Sequence, residues 1–341
     1  MYYFDSDYMV GAHPEVMEKL VETNMLHTVG YQRDGFCDEA RKRILEACGL
    51  SDGNVLFFVG GTQTNATVID GLLRRHEGVL AADTSHINVH EAGAIEASGH
   101  KVLTLPAKAG KIDASQIDEY VSTFYSDDTY SHMVAPGMVY ISFPTELGTL
   151  YTCDELVAIS NACHKHNIPL YVDGARLAYG LKAPGNDISL EKLAAIADYF
   201  YIGGTKCGAL MGEALVTRHV DAVPYLYTLI KQHGAMLAKG RLLGVQFLAL
   251  FSNDLYGRIG CHAIEMAMRL KAGMKAKNVE LMIDSPTNQQ FFVLPNETIA
   301  RLRNIASFDY WGAPGDEKSA VRFVTDWSTT PEAVDAVIAA I

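Results

Sequence analysis

The sequence predicts an α/β fold with a large domain on a mainly parallel sheet, followed by a small α+β C-terminal domain. Three observations support this prediction. From about residue 40 to 216, short β-rich runs alternate with helical stretches, as in βαβ units. From about 225 to 277 the residue pattern is mostly helical. Beyond residue 285, β-rich runs precede a final helix, as in a small α+β domain.

The elements of the large domain follow from its hydrophobic pattern. Strands are predicted where short apolar or β-branched runs end at turn residues, and helices where apolar residues recur at helical spacing. In chain order the strands are 54–59, 78–82, 101–105, 138–143, 168–172 and 199–204, separated by helices at 62–76, 88–99, 113–125, 152–167 and 189–198. Thr152 and Glu155 have the spacing of a capping box, which supports the helix start at 152.

The remaining elements belong to the C-terminal third. β-rich runs occur at 289–295, 307–311 and 320–325, before the helix at 330–341. The Leu-, Met- and Gly-rich stretch 236–250 is typical of an interdomain or subunit-packing helix. We therefore expect a large domain over 15–235. Residues 1–14 and 236–341 are expected to form the small domain and the interdomain or oligomer helices.

Composition excludes several classes of protein. The 341 residues carry a net charge of -12 without any offsetting basic block, which argues against a general nucleic-acid or anionic-membrane binder. No 18 apolar residues run together, and Asp5 and Asp7 stand where a signal peptide needs basic and apolar residues, so we expect a cytoplasmic protein. The six cysteines form no CxxC pair, and no metal-ligand spacing is found, so we expect reduced thiols and no metal.

Four polar features follow predicted strands, at the sheet edge where open α/β folds bind ligands. Gly60–Asn65 opens a helix whose free N–H groups suit a phosphate, and His86 could stack on a planar ring or move a proton. Asp173 and Arg176 follow the strand at 168–172, and Lys206 lies among glycines and neutral residues. Taken singly, each has an ordinary reading: a tight turn, a structural histidine, an ion pair or helix cap, and a solvated lysine.

Taken together, the four features indicate pyridoxal 5'-phosphate as the cofactor. This cofactor requires a phosphate-binding helix start, a ring-stacking side chain, a carboxylate for its pyridinium nitrogen and a lysine for a Schiff base. An Asp173 carboxylate near that nitrogen would keep the ring protonated and able to withdraw electrons from the substrate Cα. Arg176 would then bind the substrate carboxylate in a bidentate fork and orient the bond that breaks.

The sequence resembles the threonine aldolase/β-eliminating lyase family of fold-type I pyridoxal-phosphate enzymes along nearly the whole chain. The motifs that carry the resemblance are GGTQTN (60–65), SHINVHEAGA (85–94), YVDGARLAYG (171–180), GGTKCGAL (203–210) and VRFVTDW (321–327). The resemblance implies a three-layer, aminotransferase-like large domain. It also implies a homo-oligomer, either a homodimer or a homotetramer, with active sites completed at a subunit interface.

Residue roles carried over from the resemblance are expectations. Lys206 would form the Schiff base, Asp173 would pair with the ring nitrogen and His86 would stack on the ring. Gly61 and Thr62 would cradle the phosphate, and Thr205 would add a contact to it. Ser6, Arg176 and Arg322 would hold the substrate carboxylate.

One departure from the resemblance affects substrate choice. Typical threonine aldolases carry a histidine in an Asn-Thr-His motif where this chain has Thr145 and Glu146. The pattern TExGxxYT is similar to a branch that includes phenylserine aldolase-like proteins. Glu146 is therefore either a base or a specificity contact, and the retro-aldol base is either Glu146 or His86, the latter directly or through a water.

The expected reaction is retro-aldol cleavage of a β-hydroxy-α-amino acid, of the threonine, allo-threonine or phenylserine type, to glycine and an aldehyde. Two alternatives stay open. The first is another reaction of the same cofactor, such as β-elimination, racemisation or decarboxylation, because fold and cofactor do not decide which bond breaks. The second is a pyridoxal-phosphate-binding protein without significant turnover.

Overall fold

The computed structural model describes residues 1–219 and 225–341. The strands, in chain order, are β1 (Tyr2–Tyr3), β2 (Asn54–Phe58), β3 (Glu77–Ala82), β4 (Val102–Leu105), β5 (Ala135–Ser142), β6 (Leu170–Asp173), β7 (Tyr199–Gly203), β8 (Glu213–Thr217), β9 (Glu280–Ile283), β10 (Gln289–Pro295), β11 (Ala306–Ser307), β12 (Asp309–Tyr310) and β13 (Lys318–Val324). The helices are α1 (Pro14–Thr23), α2 (Gly35–Ala47), α3 (Gly61–Leu72), α4 (His86–Val89), α5 (Ala94–Ala97), α6 (Ala114–Ser126), α7 (Cys153–Lys165), α8 (Leu177–Lys182), α9 (Leu190–Ile196), α10 (Leu226–Gln232), α11 (Arg241–Leu250), α12 (Leu255–Ala276), α13 (Asn296–Leu302) and α14 (Pro331–Ala339). Among these helices, none has the length and apolar content needed to span a membrane.

A seven-stranded sheet with the order β2-β8-β7-β6-β5-β3-β4 forms the centre of the large domain. The neighbours from β7 to β4 pair in parallel, whereas β8 is antiparallel to both β7 and β2. Alternate residues of β5 bury into opposite layers: Val139 and Ile141 into one apolar core, and Met138 and Tyr140 into the other. Helices cover both faces, so the predicted three-layer arrangement with a mainly parallel sheet is confirmed.

The C-terminal part has its own antiparallel sheet, in the order β12-β13-β10-β9. A separate apolar core lies between this sheet and helices α12, α13 and α14, which confirms the predicted small α+β unit. The start of the chain joins this unit, because β1 pairs in parallel with β11 and Val324 N–H donates to the Phe4 carbonyl. Helix α11 packs on α1 and α2.

Two local differences from the predicted elements affect the site. The single helix expected at 88–99 is two short helices, α4 and α5, because Ala92 and Gly93 take left-handed backbone conformations with φ of 52° and 74°. Glu91 therefore lies in the break between them. The strand expected at 168–172 is β6, which is shifted toward the C-terminus, so Asp173 is its last residue.

Candidate active site

A cavity of about 280 Å³ opens at the C-terminal ends of the parallel strands. Residues from α3, α4, the end of β6 and the β7–β8 turn meet there, although they are far apart in the sequence. The cavity is lined by Tyr8, Gly61, Thr62, His86, Glu91, Glu146, Asp173, Ala175, Tyr201, Thr205, Lys206 and Glu213. Seven residues predicted from the sequence therefore share one cavity, namely Gly61, Thr62, His86, Glu146, Asp173, Thr205 and Lys206.

The start of helix α3 borders the cavity with backbone alone. Its N-cap is Gly60, whose lack of a side chain leaves the first helical turn without a side-chain cap. A Cβ at Gly61 would come within 3.1 Å of the Tyr201 hydroxyl, so a larger residue would crowd the cavity wall there. N–H groups at the start of a 12-residue helix form a favourable anion site.

Asp173 is buried at the end of β6 and has partners for both carboxylate oxygens. Oδ2 accepts from the Tyr140 hydroxyl at 2.6 Å and from Asn65 at 3.0 Å, and Oδ1 accepts from the Ala175 N–H at 2.9 Å. Burial by itself would raise the pKa of Asp173, but the charge of His86 and these hydrogen bonds lower it. The site therefore holds an ionised, fixed carboxylate in a buried position.

His86 is held by a buried carboxylate. Its Nδ1 lies 2.8 Å from Oε1 of Glu91, and the same oxygen accepts from the Asn65 side-chain amide at 2.8 Å. Burial would lower the pKa of His86, but the hydrogen bond that the imidazole makes to Glu91 and the charges of Glu146 and Asp173 together raise it. Asn65 thus connects the His86–Glu91 pair to Asp173 through one amide group.

Lys206 lies in the turn between β7 and β8, and the backbone of that turn is fixed on several sides. The N–H groups of Gly204 and Thr205 donate to the Gly212 carbonyl at 3.0 Å. The Tyr179 hydroxyl donates to the Lys206 carbonyl, and the Thr205 hydroxyl accepts from the Gly212 N–H at 3.0 Å. The turn therefore presents the Lys206 amine from a rigid base.

Glu146 follows β5 and lines the same cavity as His86. Its Oε1 accepts from the Ser142 hydroxyl at 3.3 Å. The carboxylate also acts on the pKa values of its neighbours, since it helps to raise that of His86. Glu146 is thus an acid or base candidate held beside the imidazole.

Arg176, expected to bind a substrate carboxylate, pairs with Asp7 in the structure. Its Nε and Nη2 donate to the two carboxylate oxygens at 2.7 and 3.1 Å, and both side chains are buried. Asn288 also donates to Asp7, at 2.9 Å. Burial would raise the pKa of Asp7, but Arg176 and Lys206 lower it, so the pair is ionic. The described cavity lining does not include Arg176, which lies behind it as the N-cap residue of α8.

Ser6 and Arg322 also lie outside the described lining of the cavity. Arg322, on β13, donates to Gln289 at 3.2 Å and to Asp309 at 2.7 Å, and its guanidinium stacks 5.3 Å from the Trp311 ring centre. Its Nε is buried without a hydrogen-bond partner. Ser6 is half-buried between Asp5, whose carbonyl accepts from Arg322, and Asp7. The assignment of Ser6, Arg176 and Arg322 to a substrate carboxylate stays a prediction.

Five residues complete the site without a role predicted from the sequence. They are Asp7, Asn65, Glu91, Tyr140 and Glu213. Asp7, Glu91 and Glu213 are acidic residues in segments that are buried in the structure. For Glu213 a sequence signal exists, because a charged residue opens an otherwise apolar strand. Glu91 is only five residues from its partner His86, but the helix expected at 88–99 gave no sign of that contact. The partners of Asp7, Asn65 and Tyr140 lie far away in the chain, so spacing alone could not have found them.

Comparisons with known proteins agree on the family and the fold of the chain. The family model described as "Beta-eliminating lyase" matches residues 4–296. The low specificity L-threonine aldolase of Pseudomonas aeruginosa is 29% identical, over 97% of this chain and 94% of that protein. A solved structure of Leishmania major threonine aldolase is 40% identical, with a TM-score of 0.95 over 99% of this chain and 98% of that one. Aspartate aminotransferase from Thermus thermophilus, at 14% identity and a TM-score of 0.72, shares the fold.

Proposed function

Because the chain belongs to the β-eliminating lyase family, we propose that it cleaves a threonine-type β-hydroxy-α-amino acid to glycine and an aldehyde, with pyridoxal phosphate as cofactor. This proposal rests on one observation: Lys206, Asp173, His86 and the start of α3 line the same cavity. The relatives named as threonine aldolases support the same reaction class. Which amino acid is preferred, and which role each residue has, belong to the proposal.

The residues present fit the cofactor. The uncapped start of α3 and the Thr205 hydroxyl suit its phosphate, and a close approach at Gly61 leaves no room for a side chain there. Asp173, buried with a lowered pKa, suits a protonated ring nitrogen. When bound, pyridoxal phosphate would supply a carbonyl carbon for the amines and an electron sink for the Cα carbanion.

Different residues of the chain would then position the cofactor and transfer protons. Asp173 would hold a proton on the ring nitrogen, and the Tyr140 and Asn65 hydrogen bonds would keep its carboxylate in place. Lys206 would supply the amine that anchors the cofactor. His86, kept cationic over a wider pH range by Glu91, would stack on the ring.

Glu146 is the proposed base for the β-hydroxyl proton. It lines the cavity beside His86, whereas the raised pKa of His86 makes the imidazole less ready to accept a proton near neutral pH. Proton removal from the hydroxyl lets its oxygen form the aldehyde carbonyl as the Cα–Cβ bond breaks. A carboxylate in the place of the expected histidine can perform this transfer.

The products formed from different amino acids show which reaction the protein catalyses. The purified, cofactor-loaded protein would be incubated separately with L-threonine, L-allo-threonine and phenylserine, and glycine and aldehyde would be measured. We expect glycine together with acetaldehyde or benzaldehyde. A spectral change of the cofactor without glycine would move the reaction to another bond at Cα or Cβ, and no response to any amino acid would leave a binding protein without turnover.

Replacing Glu146 separates the two candidate bases. We expect Glu146→Gln to keep cofactor binding and to lower kcat roughly 10²- to 10⁴-fold, the usual contribution of a general base. His86→Phe, which keeps a ring for stacking, should lower kcat less and weaken cofactor binding instead. The assignment would be reversed by an active Glu146→Gln variant and an inactive His86→Phe variant that still binds the cofactor.

The homo-oligomer expected from the sequence also belongs to the proposal. Of the 23 large apolar side chains that are exposed in the described residues, 12 lie within residues 1–31, among them Val21 at 69% and Met25 at 83% exposure. Such a concentration in less than a tenth of the chain is typical of a surface covered by another subunit. Tyr8, which is 58% exposed, belongs both to this surface and to the cavity lining, so a second copy there would border the site.

Sedimentation measures the oligomeric state directly. We expect a mass at least twice the 37.3 kDa of one chain. Val21→Asp, on the exposed face of α1, should shift the protein toward the monomer because it buries a charge in the interface. Val157→Asp on α7, with 39% exposure, is the matched control and should leave the mass unchanged. A monomeric wild-type protein would contradict the proposal.

A further inference from the structure

Glu213 lies in the sheet between the two turns that border the cofactor cavity. In the register of the sheet it is opposite Phe58 on one side and Gly203 on the other. Phe58 is followed directly by the turn that starts α3, and Gly203 is followed by Gly204, Thr205 and Lys206. A side chain at this position therefore contacts the turn that carries the lysine and lies next to the phosphate-binding helix start.

The contacts of Glu213 fix the lysine turn. Its Oε2 accepts from the Gly204 N–H at 3.0 Å, a proton that is shared with the Gly212 carbonyl. The side chain is buried, with 3% of the residue exposed, and it lines the cavity. No arginine or other cation pairs with it at salt-bridge distance among the described residues.

The charge balance of the cavity disfavours a negative charge on Glu213. Four carboxyl groups line it, from Glu91, Glu146, Asp173 and Glu213, against one lysine and one histidine. A bound phosphate monoester would add about 1.5 to 2 negative charges near pH 7. Burial raises the pKa of Glu213 to about 8, although Thr205, the Gly204 N–H and Lys206 act in the opposite direction.

We propose that Glu213 is a positioning residue that holds the Gly204–Lys206 turn as an uncharged carboxyl group, and that tight binding of the cofactor requires the proton on it. The proposal rests on the proposed function for the identity of the cofactor and goes beyond it in making affinity depend on a buried proton. Below pH about 8 the proton is already present. Above that pH the free protein loses it, so binding must recover a proton and the affinity falls.

The other titratable groups that face Glu213 come from four elements. They are Asp173 at the end of β6, Lys206 and Cys207 in the turn, Tyr171 on β6, Tyr201 on β7 and Tyr256 on α12. Burial raises the pKa of the three tyrosines and of the Cys207 thiol, and the pKa of Asp173 is lowered, so none of these five groups changes charge between pH about 7 and about 9.

The experiment measures the Kd of 4'-deoxypyridoxine 5'-phosphate, a cofactor analogue that has no aldehyde and cannot react with Lys206. Titration calorimetry at pH about 7 and about 9 would compare the wild-type protein with Glu213→Gln, which keeps the shape and hydrogen-bond acceptor without the titrating group. We expect the Kd of the wild type to weaken roughly tenfold more between the two pH values than that of Glu213→Gln, since titration of the analogue's own ring nitrogen affects both proteins equally. Glu77→Gln, at the opposite end of the sheet, is the matched control and should follow the wild type.

A second measurement counts protons. Calorimetry at pH about 9, in buffers of different ionisation enthalpy, should show that the wild type takes up close to one proton more per analogue bound than Glu213→Gln, since protonation of the analogue's ring nitrogen is common to both proteins. The proposal is overturned by equal pH dependence in wild type and Glu213→Gln, by equal proton uptake in the two proteins, or by much weaker binding of Glu213→Gln at pH about 7. A wild-type protein that binds neither this analogue nor pyridoxal phosphate at any pH would overturn the proposed function and this proposal with it.

Discussion

Lys206→Ala is expected to abolish turnover, with a loss of at least about 10⁴-fold in kcat. No other lysine lines the described cavity, so the variant leaves no amine there to take the role. The turn itself should survive, because its hydrogen bonds come from the backbone of Gly204 and Thr205 and do not use the lysine amine. The visible absorbance band that the cofactor gains on forming a Schiff base with protein should also disappear.

The matched control for this variant is Lys182→Ala, at the exposed end of α8. It should keep both the absorbance band and the rate. Measurements of absorbance and of glycine release on the same preparations would separate loss of the Schiff base from loss of folding. A Lys206→Ala protein with a wild-type spectrum would remove Lys206 from the proposed role.

Asp173→Asn should leave the cofactor bound but lower kcat by roughly 10³-fold. The substitution keeps the size of the side chain and removes the buried negative charge that would hold a proton on the ring nitrogen. The neighbouring donors, Tyr140 and Asn65, would then face a neutral amide in place of a carboxylate. Because the lowered pKa of Asp173 keeps it ionised throughout the neutral range, we expect the defect at every pH between about 6 and about 9.

Asp198→Asn provides the comparison, since Asp198 is buried next to β7 at the opposite end of the same sheet. The melting temperature of Asp198→Asn would show how much stability the loss of a buried carboxylate costs. The kcat of this variant should stay within about twofold of the wild type. Steady-state rates would give the kcat of both variants, and cofactor titrations would show whether both still bind the cofactor. Near-normal turnover in Asp173→Asn would show that the electron-withdrawing role is wrongly assigned.

The sequence was sufficient to predict six of the seven strands of the central sheet, all but β8, because each of the six carries its own local pattern. The run before Asp173 and the run before Lys206 are both apolar and end at turn residues, which places both side chains at one sheet edge. The break between α4 and α5 was missed, because alanine rarely adopts a left-handed backbone and Ala92 therefore gave no sign of one. That break places Glu91 beside His86.

The ion pairs behind the cavity could not be predicted in the same way. Arg176 was expected to be available for a substrate, but its partner Asp7 lies 169 positions away in the sequence. Spacing rules describe neighbours along a helix or strand and contain no information on such a pairing. Glu213 was missed for a different reason, because a single acidic residue at the start of an apolar strand is compatible with an exposed strand end.

The first residues of the chain pack on the C-terminal unit, and this has a consequence for the order of events during synthesis. Tyr2 pairs with Ala306 and Phe4 accepts from Val324, so these contacts cannot form until residues 306 and 324 have been made. At roughly 5–20 residues per second, the nascent segment waits on the order of tens of seconds for its partners. Strand β1 is therefore made about 300 residues before its partner β11, and chaperone capture of the exposed apolar segment around it would compete with completion of the native state.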